Sequence, residues 1–302
     1  MTSADAPIVI GLGELLWDVF PDSRRPGGAP SNVAFQASQL GLTGIVASRV
    51  GQDALGDELL SFLKARGLDT SLIQRDASRE TGRVTVDMSD GGHPDYVIHE
   101  NVAWDYLEPT SKLIDTARSA SAICFGTLAQ RSPVTRETIH EVLDAACDDC
   151  LIVYDVNLRQ HWYDREWIDR SIQHASVLKL NRDEAEVIGD LLDITTDPLD
   201  AFAMDLHEHY GIDLVCVTRA EEGCWLWTSF EEVDLPGTPI DVVDAVGAGD
   251  AFSAALIASR LWGWSLRQSA EFANAVGGLV ASRSGAMPAL SKEFAELKAS
   301  IG

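Results

Sequence analysis

The sequence predicts an α/β fold, with a largely parallel central sheet, helices on both faces and a small additional β-structure. Three observations carry this. Short apolar runs alternate with segments whose apolar residues recur at helical spacing, as a βαβ series requires. The chain has 302 residues and 46% hydrophobic content, ample for one large core, so 1–302 reads as a single domain. The series is interrupted at roughly 15–30 and 82–105, where strand-like segments fall outside the alternation.

The elements follow in order. Residues 8–13 are an apolar run ending in glycine, the pattern of a buried strand. A helix is expected over 31–40, opened by the cap-forming Ser31 and Asn32. Residues 44–50 read as a strand and 53–65 as a helix, with Asp53 as N-cap and Gly67 just past the end. Segments 82–88 and 96–99 alternate around a polar turn at 89–94. The series then resumes, with strands at 122–125, 151–155, 177–180 and 214–218, and helices at 134–146, 167–174, 183–191 and 199–209. An antiparallel hairpin is expected from 223–227 and 232–235, before a small-residue-rich helix at 248–262 and a terminal helix at 267–282.

Composition narrows the function. The net charge is −24, which disfavours nucleic acid, since phosphate binding needs clustered Lys and Arg. Lysine occurs only at 64, 112, 179, 292 and 298, which fits either a saline habitat or a solubility device. No apolar run approaches the ~20 residues that span a bilayer, so no membrane is expected. The opening residues show neither a basic nor an apolar export region, and five scattered cysteines suit reduced thiols in a cytoplasm. Cys147 and Cys150 precede a strand and have no second Cys or His pair nearby, which argues against zinc or a thioredoxin-like site.

The most informative stretch is Asp244-Ala245-Val246-Gly247-Ala248-Gly249-Asp250-Ala251-Phe252. A helix start leaves N–H groups without partners and carries partial positive charge, and glycines let an anion approach the backbone. Asp250 falls in the first turn. A carboxylate beside an anion hole is repulsive unless it takes a proton from a hydroxyl that attacks phosphorus. Taken alone, the segment is equally an ordinary glycine-rich helix start.

The whole chain, however, resembles the ribokinase-like (PfkB) sugar kinases. The segment 244–250 is similar to that family's signature D-[TS]-x-G-A-G-D, departing only at Ala245. Gly27-Gly28-Ala29-Pro30-Ser31-Asn32 resembles the N-terminal signature, continued through 41–56. Asp155-Val156-Asn157-Leu158-Arg159 and Asn181-Arg182-Asp183-Glu184 stand between them.

The resemblance implies a ribokinase-like fold whose out-of-series strands form a β-lid, and an ATP-dependent carbohydrate kinase with Mg²⁺. Asp250 would be the general base, with the amides of Gly247, Ala248 and Gly249 holding the charge that develops on the transferred phosphoryl group. Asp18, Gly28, Asn32 and Arg159 would bind the sugar. Asn181, Thr218, Gly223 and Asn274 would line the nucleotide, although Ala220 stands where the family's phosphate turn has its first glycine. Glu184 would organise Mg²⁺, usually through water. Asp244, Val246, Ser282 and Gly285 fall where many relatives bind a monovalent cation such as K⁺. Trp17, Tyr96 and Trp104 are expected to glue the lid rather than touch sugar. A lid-mediated homodimer is common among relatives.

Gly-Gly-Ala-Pro-Ser-Asn resembles the fructokinase branch, which implies D-fructose and ATP as substrates and fructose 6-phosphate as product. Two other readings stay open. One is a 2-keto-3-deoxygluconate kinase, where Arg159 would meet the substrate carboxylate. The other is a sugar-binding regulatory protein without catalysis.

Overall fold

A computed structural model describes residues 6–87 and 95–302. The turn expected at 89–94 lies outside the described residues. The central strand β1 (Ile8–Leu12) is flanked on one side by β4 (Thr43–Gly51) and β5 (Asp69–Asp76). On its other side lie β8 (Ala122–Phe125), β9 (Leu151–Asp155), β10 (Val177–Asn181) and β11 (Leu214–Thr218). All these pairings are parallel. The hairpin β12 (Cys224–Trp227) and β13 (Glu232–Leu235) adds two antiparallel strands at the edge, as expected.

Helices cover both faces because parallel strands are apolar on both sides. Behind one face pack α3 (Ser111–Ser119), α4 (Pro133–Asp144), α5 (Arg165–His174), α6 (Arg182–Leu192) and α7 (Leu199–Tyr210), burying Leu113, Ile139, Ile168, Ile188 and Phe202. Behind the other lie α1 (Ala29–Gln39), α8 (Ala248–Leu261), α9 (Leu266–Ala281) and α10 (Ser291–Ile301), through Val33, Ala255, Val276 and Phe294. The helix α2 (Ala54–Ala65) closes a smaller core with Phe35, Val46 and Ile73.

The out-of-series segments form a second sheet of four strands, ordered β3 (Ser23–Gly27), β2 (Leu16–Phe20), β6 (Gly82–Asp87) and β7 (Asp95–Ile98). Trp17 is buried and donates its indole N–H to Leu55 O at 3.0 Å, tying β2 to α2. Trp104 is buried under the Arg131 guanidinium, 4.0 Å from its ring centre. Both therefore glue the sheet to the body, whereas Tyr96 is exposed.

Four elements differ from expectation. The helix α1 starts at Ala29, not at residue 31, because Pro30 in its first turn is already fixed at a helical φ. Its N-cap is Gly28, and the Ser31 hydroxyl bonds backward to Gly28 O instead of capping. The strand β5 carries too little apolar alternation to be read, while α3 was not expected although Thr110 caps it and Leu113, Ile114 and Ala117 share one face. The helix at 267–282 is not the last, since α10 follows it. Asp53 caps α2 as expected, accepting from Gly56 N at 2.7 Å. All five cysteines are free thiols. No helix of the described residues is long and apolar enough to cross a membrane.

Arg131 locks the end of the small sheet to the body. Its Nε and Nη2 donate to the two Asp105 oxygens at 2.8 and 2.9 Å, and Nη2 also reaches His99 O at 2.6 Å. Both side chains of this pair are buried. Asp105→Ala would strand a buried guanidinium and is expected to cost about 3–5 kcal/mol in urea denaturation.

Candidate active site

In an open α/β sheet, ligands gather outside the carboxyl ends of the strands, where neighbouring connections diverge. The chain leaves β1 toward β4 on one side and returns at β8 on the other, so the ends of β1, β8, β9, β10 and β11 form one rim. Arg159, Asn181, Glu184 and Thr218 stand on this rim and Asp18 on the small sheet, while Asn32, Asp250 and Asn274 are carried by α1, α8 and α9.

Helix α8 supplies the centre. Its N-cap, Gly247, has φ 79° and no side-chain cap. A Cβ there would meet Ala286 Cβ at 2.4 Å, so glycine answers both the left-handed backbone and the close loop behind it. Among the described residues no acceptor is recorded for the N–H groups of Gly247, Gly249 and Asp250. Ala248 differs from the expected amide row, because its N–H turns back to Ala245 O at 3.2 Å.

Asp250 Oδ2 accepts from Asn32 Nδ2 at 2.7 Å. This bond joins the first turn of α8 to α1, and so brings the expected base to the expected sugar residues. The carboxyl keeps some exposed surface, yet the surrounding protein raises its pKa to about 6. Burial is the main cause and the charge of Asp155 adds to it, against the Asn32 bond and Lys179.

Beneath Asp250 lies a buried polar network that the sequence reading missed. Lys179 Nζ donates to Asp155 Oδ1 at 2.9 Å, and Ser253 Oγ donates to Asp155 Oδ2 at 2.7 Å. Lys179 Nζ also lies 3.3 Å from where a Gly249 Cβ would stand. Burial works against the ammonium, but Asp155, Glu184 and Asp250 raise its pKa and keep it charged. A lysine inside the apolar run Val177-Leu178-Lys179-Leu180 was the available signal, since buried lysines are almost always paired.

Glu14 is the second residue missed. It follows β1 directly and is buried. Its Oε1 accepts from Ala29 N at 3.1 Å, while Oε2 is buried without a partner, as is Asn32 Oδ1. Burial pushes the Glu14 carboxyl up to about 7, with Asp250 adding and Arg159 opposing. Gly28, at φ 108°, passes so close that a Cβ would strike Glu14 O at 2.3 Å. Asp18, on β2, points over the same turn, since a Cβ on Gly27 would lie 2.6 Å from its Oδ2. Burial raises the Asp18 carboxyl to about 6, opposed by Arg159 and Arg25. Arg159 thus acts on Glu14, Asp18 and Asp250 together, yet it is exposed, and the hydrogen bond its side chain makes is to Leu158 O.

The nucleotide-side residues divide. Asn181 and Glu184 form a reciprocal cap at the start of α6, with Asn181 Oδ1 accepting from Glu184 N and Glu184 Oε2 from Asn181 N. Glu184 is buried rather than solvent-facing, and its Oε1 accepts from Leu158 N at 2.9 Å. Each oxygen keeps a lone pair free, which suits a water-mediated contact to Mg²⁺. A cavity of about 260 Å³ is lined by Arg159, Asn181, Asp183 and Glu184. Another of about 290 Å³, between Arg79, Arg83 and His99, includes none of the predicted residues. Among the described residues no group of three or more His, Cys, Asp or Glu is placed to hold a metal by itself.

Thr218 ends β11, and Gly223 closes the turn after it, its N–H donating to Ala220 O at 3.1 Å. Ala220 adopts φ 50°, so alanine takes up the left-handed backbone that the family's glycine would have eased. Asn274, on α9, reaches Pro236 O at 3.5 Å, beside a loop that exposes Ile240, Val242 and Val243.

At the expected cation site, Asp244 accepts from Val246 N at 3.1 Å, Gly285 N at 3.0 Å and Arg25 Nη1 at 2.6 Å. These donors outweigh its partial burial and hold its carboxyl below the usual range. The Ser282 hydroxyl donates to Leu279 O. Oδ2 is thus taken by an amide and a guanidinium, so a cation on that oxygen would meet the Arg25 charge, while Oδ1 takes a single amide.

With this geometry in place, comparison assigns the class. Residues 12–293 match the pfkB family of carbohydrate kinases, and the chain belongs to that family. It is an ATP-dependent sugar kinase by that membership. A protein of Pyrococcus horikoshii described as an uncharacterized sugar kinase is 29% identical, over 92% of this chain and 91% of its own. The structure of that protein in complex with ATP superposes with a TM-score of 0.79, covering 96% of this chain and 99% of that one. Fructokinase-2 of Oryza sativa subsp. japonica is 27% identical over 95% of this chain and 92% of its own. A fructokinase double mutant of Vibrio cholerae, solved with fructose, ADP and a potassium ion, shares the fold at TM-score 0.80 and 22% identity, covering 99% of this chain and 100% of that one.

The folded pKa of Glu14, about 7, lies above the ordinary 4.5. The native state therefore holds this proton more tightly than the unfolded chain. The stability this contributes is complete below about 4.5 and is lost as pH rises through about 7. Glu14→Gln removes the ionisation, so its melting temperature is expected to gain on the wild type between pH 5 and pH 8 in a thermal-shift series.

Proposed function

We propose that this chain is a fructokinase that phosphorylates the 6-hydroxyl of D-fructose from ATP. The observation that carries the reading is the 2.7 Å bond between Asn32 and Asp250. It sets a carboxylate between an acceptor-rich pocket and the free amides of α8. Glu14 Oε2 and Asn32 Oδ1, buried without partners, call for donors, and sugar hydroxyls are donors. Asp18 adds a third acceptor and Arg159 one cation, which together suit a neutral sugar better than a phosphorylated one.

In this reading the sugar hydroxyl gives its proton to Asp250 Oδ, and its oxygen forms a bond to the γ-phosphorus as the bond to the ADP oxygen breaks. The amides of Gly247 and Gly249 hold the equatorial oxygens, and Lys179 supports the helix start from below. Mg²⁺, when bound beside Glu184, would neutralise phosphate charge, drawing its remaining ligands from phosphate and water. The exposed Ile240, Val242 and Val243 next to Asn274 offer an apolar bed for the adenine. The small sheet acts as a lid, excluding water so that ATP is not hydrolysed in place of transfer. Its edge strand β7 exposes Tyr96 and Val97, where a lid-to-lid homodimer would close. The enzyme works in the cytoplasm, in keeping with its free thiols.

A second reading, 2-keto-3-deoxygluconate kinase, is favoured by the exposed fork of Arg159, which keeps donors free beyond its bond to Leu158 O and suits a substrate carboxylate. A coupled assay with fructose, ribose, glucose, 2-keto-3-deoxygluconate, adenosine and fructose 6-phosphate separates the two. Fructose is expected to give the largest kcat/KM. A preference for the keto-deoxy acid, lost in Arg159→Ala, assigns the second reading instead.

Asp250→Asn is expected to lower kcat by about 10²–10⁴-fold while sugar still protects the fold in a thermal shift. The base must be ionised to accept a proton, so kcat/KM should fall as pH drops below about 6. The Asn32 bond lowers the Asp250 pKa, so Asn32→Ala should move that limb to higher pH. An unmoved limb excludes Asp250 as the titrating group.

A further inference from the structure

Asp244 joins three parts of the molecule. Its Oδ1 accepts from Val246 N, in the loop that leads into α8. Its Oδ2 accepts from Gly285 N, in the loop that packs behind Gly247, and from Arg25 Nη1, carried on β3 of the lid. Ala286, next to Gly285, is the residue that fills the space a Gly247 Cβ would take. Whatever holds Asp244 therefore shapes the amide row at the start of α8.

Arg25 is well placed to link this loop to the sugar. It stands directly opposite Asp18 in the β2–β3 register, and its guanidinium lies 5.5 Å from the centre of the Phe20 ring. The pair with Asp244 spans 219 residues of sequence and is the lid's direct charge contact with the helix-start loop among the described residues. A monovalent cation on Asp244 Oδ2 would share that oxygen with a guanidinium at 2.6 Å, and two like charges on one acceptor repel.

We propose that Arg25 is the built-in counter-ion of Asp244, a positioning residue that takes the place of a monovalent cation and couples lid closure to ordering of the Gly247–Asp250 amides. Sugar held by Asp18 keeps β3 down, β3 keeps Arg25 on Asp244, and Asp244 holds the phosphate-side loop in its working shape. The enzyme then needs no K⁺, and phosphoryl transfer is favoured only with the lid shut. The part concerning turnover rests on the kinase reading above.

The test compares K⁺ with tetramethylammonium at about 0.1 M, where surface electrostatics are equally screened. The full-length wild type, Arg25→Met and Arg25→Lys are measured by melting temperature without substrates, and by kcat and KM with the preferred sugar. The wild type and Arg25→Lys should be indifferent to the cation in both measurements. Arg25→Met should lose kcat more than KM in tetramethylammonium, and should regain at least about threefold of rate and about 2 °C of melting temperature in K⁺. Only an emptied cation site predicts that rescue, since a merely structural arginine would leave the variant equally impaired in both salts. A wild type activated several-fold by K⁺, or an Arg25→Met enzyme with no cation dependence, overturns the proposal. The melting arm requires no turnover, so it decides the question even where the sugar panel is blank, an outcome that would count against the kinase reading alone.

Discussion

The buried ion pair between Lys179 and Asp155 is the interaction on which the proposed chemistry rests. It crosses from β10 to β9 at the end of the central sheet, and Ser253 extends it into α8. A buried pair gains little net stability, because desolvating both charges offsets most of their attraction. Its effect is to fix geometry: the first turn of α8 has one position relative to the strand ends, and Gly249 sits directly over the ammonium. The same network sets the electrostatics. Asp155 raises the Asp250 carboxyl and Lys179 lowers it, so the proposed base stands near 6 and not at either extreme. A base with that pKa is ionised at neutral pH yet binds a proton more firmly than an ordinary aspartate.

Cations are scarce in a chain of net charge −24, and their placement is correspondingly informative. Lys179 lies under the free amides of α8, Arg159 faces three carboxyls, and Arg25 meets Asp244. The remaining attraction for a polyphosphate has to come from backbone N–H groups and from metal. Free amides at a helix start act over a short range, so this site would recognise a phosphate that has arrived and would do little to steer one from a distance.

Much of the fold was legible because parallel strands are short, apolar and punctuated. Strands β8, β9 and β11 were read at their observed bounds, and the edge hairpin was seen as antiparallel. Where the reading failed, the local signal was weak or competed with another. In β5, Leu72 and Ile73 are adjacent and do not alternate, whereas α3 was legible from its Thr110 cap and the face of Leu113, Ile114 and Ala117. The start of α1 was misjudged because Ser31 and Asn32 look like caps, whereas Pro30 had already set the helical φ. Helix α10 was legible, with Phe294, Leu297 and Ile301 on one face, and was overlooked. At the site, motif residues could be named from sequence, but most of their partners could not. The cap made by Asn181 and Glu184 was legible from its spacing, but the turn of Ala248 toward Ala245 and the meeting of Arg25 with Asp244 depend on backbone geometry that spacing alone does not encode.

The contacts that complete the site join the two ends of the chain. Asn32 reaches Asp250 across 218 residues, and Gln36 Nε2 donates to Ala286 O across 250. Such closures span long loops, whose entropic cost grows with length. On a ribosome, the strands that hold the sugar residues would emerge long before α8 and the loop that packs behind it. A nascent chain would thus display its acidic pocket without the amides that receive phosphate, and synthesis would be nearly finished before any nucleotide could be cleaved. In the proposed mechanism, phosphoryl transfer would thus wait on elements that are made late.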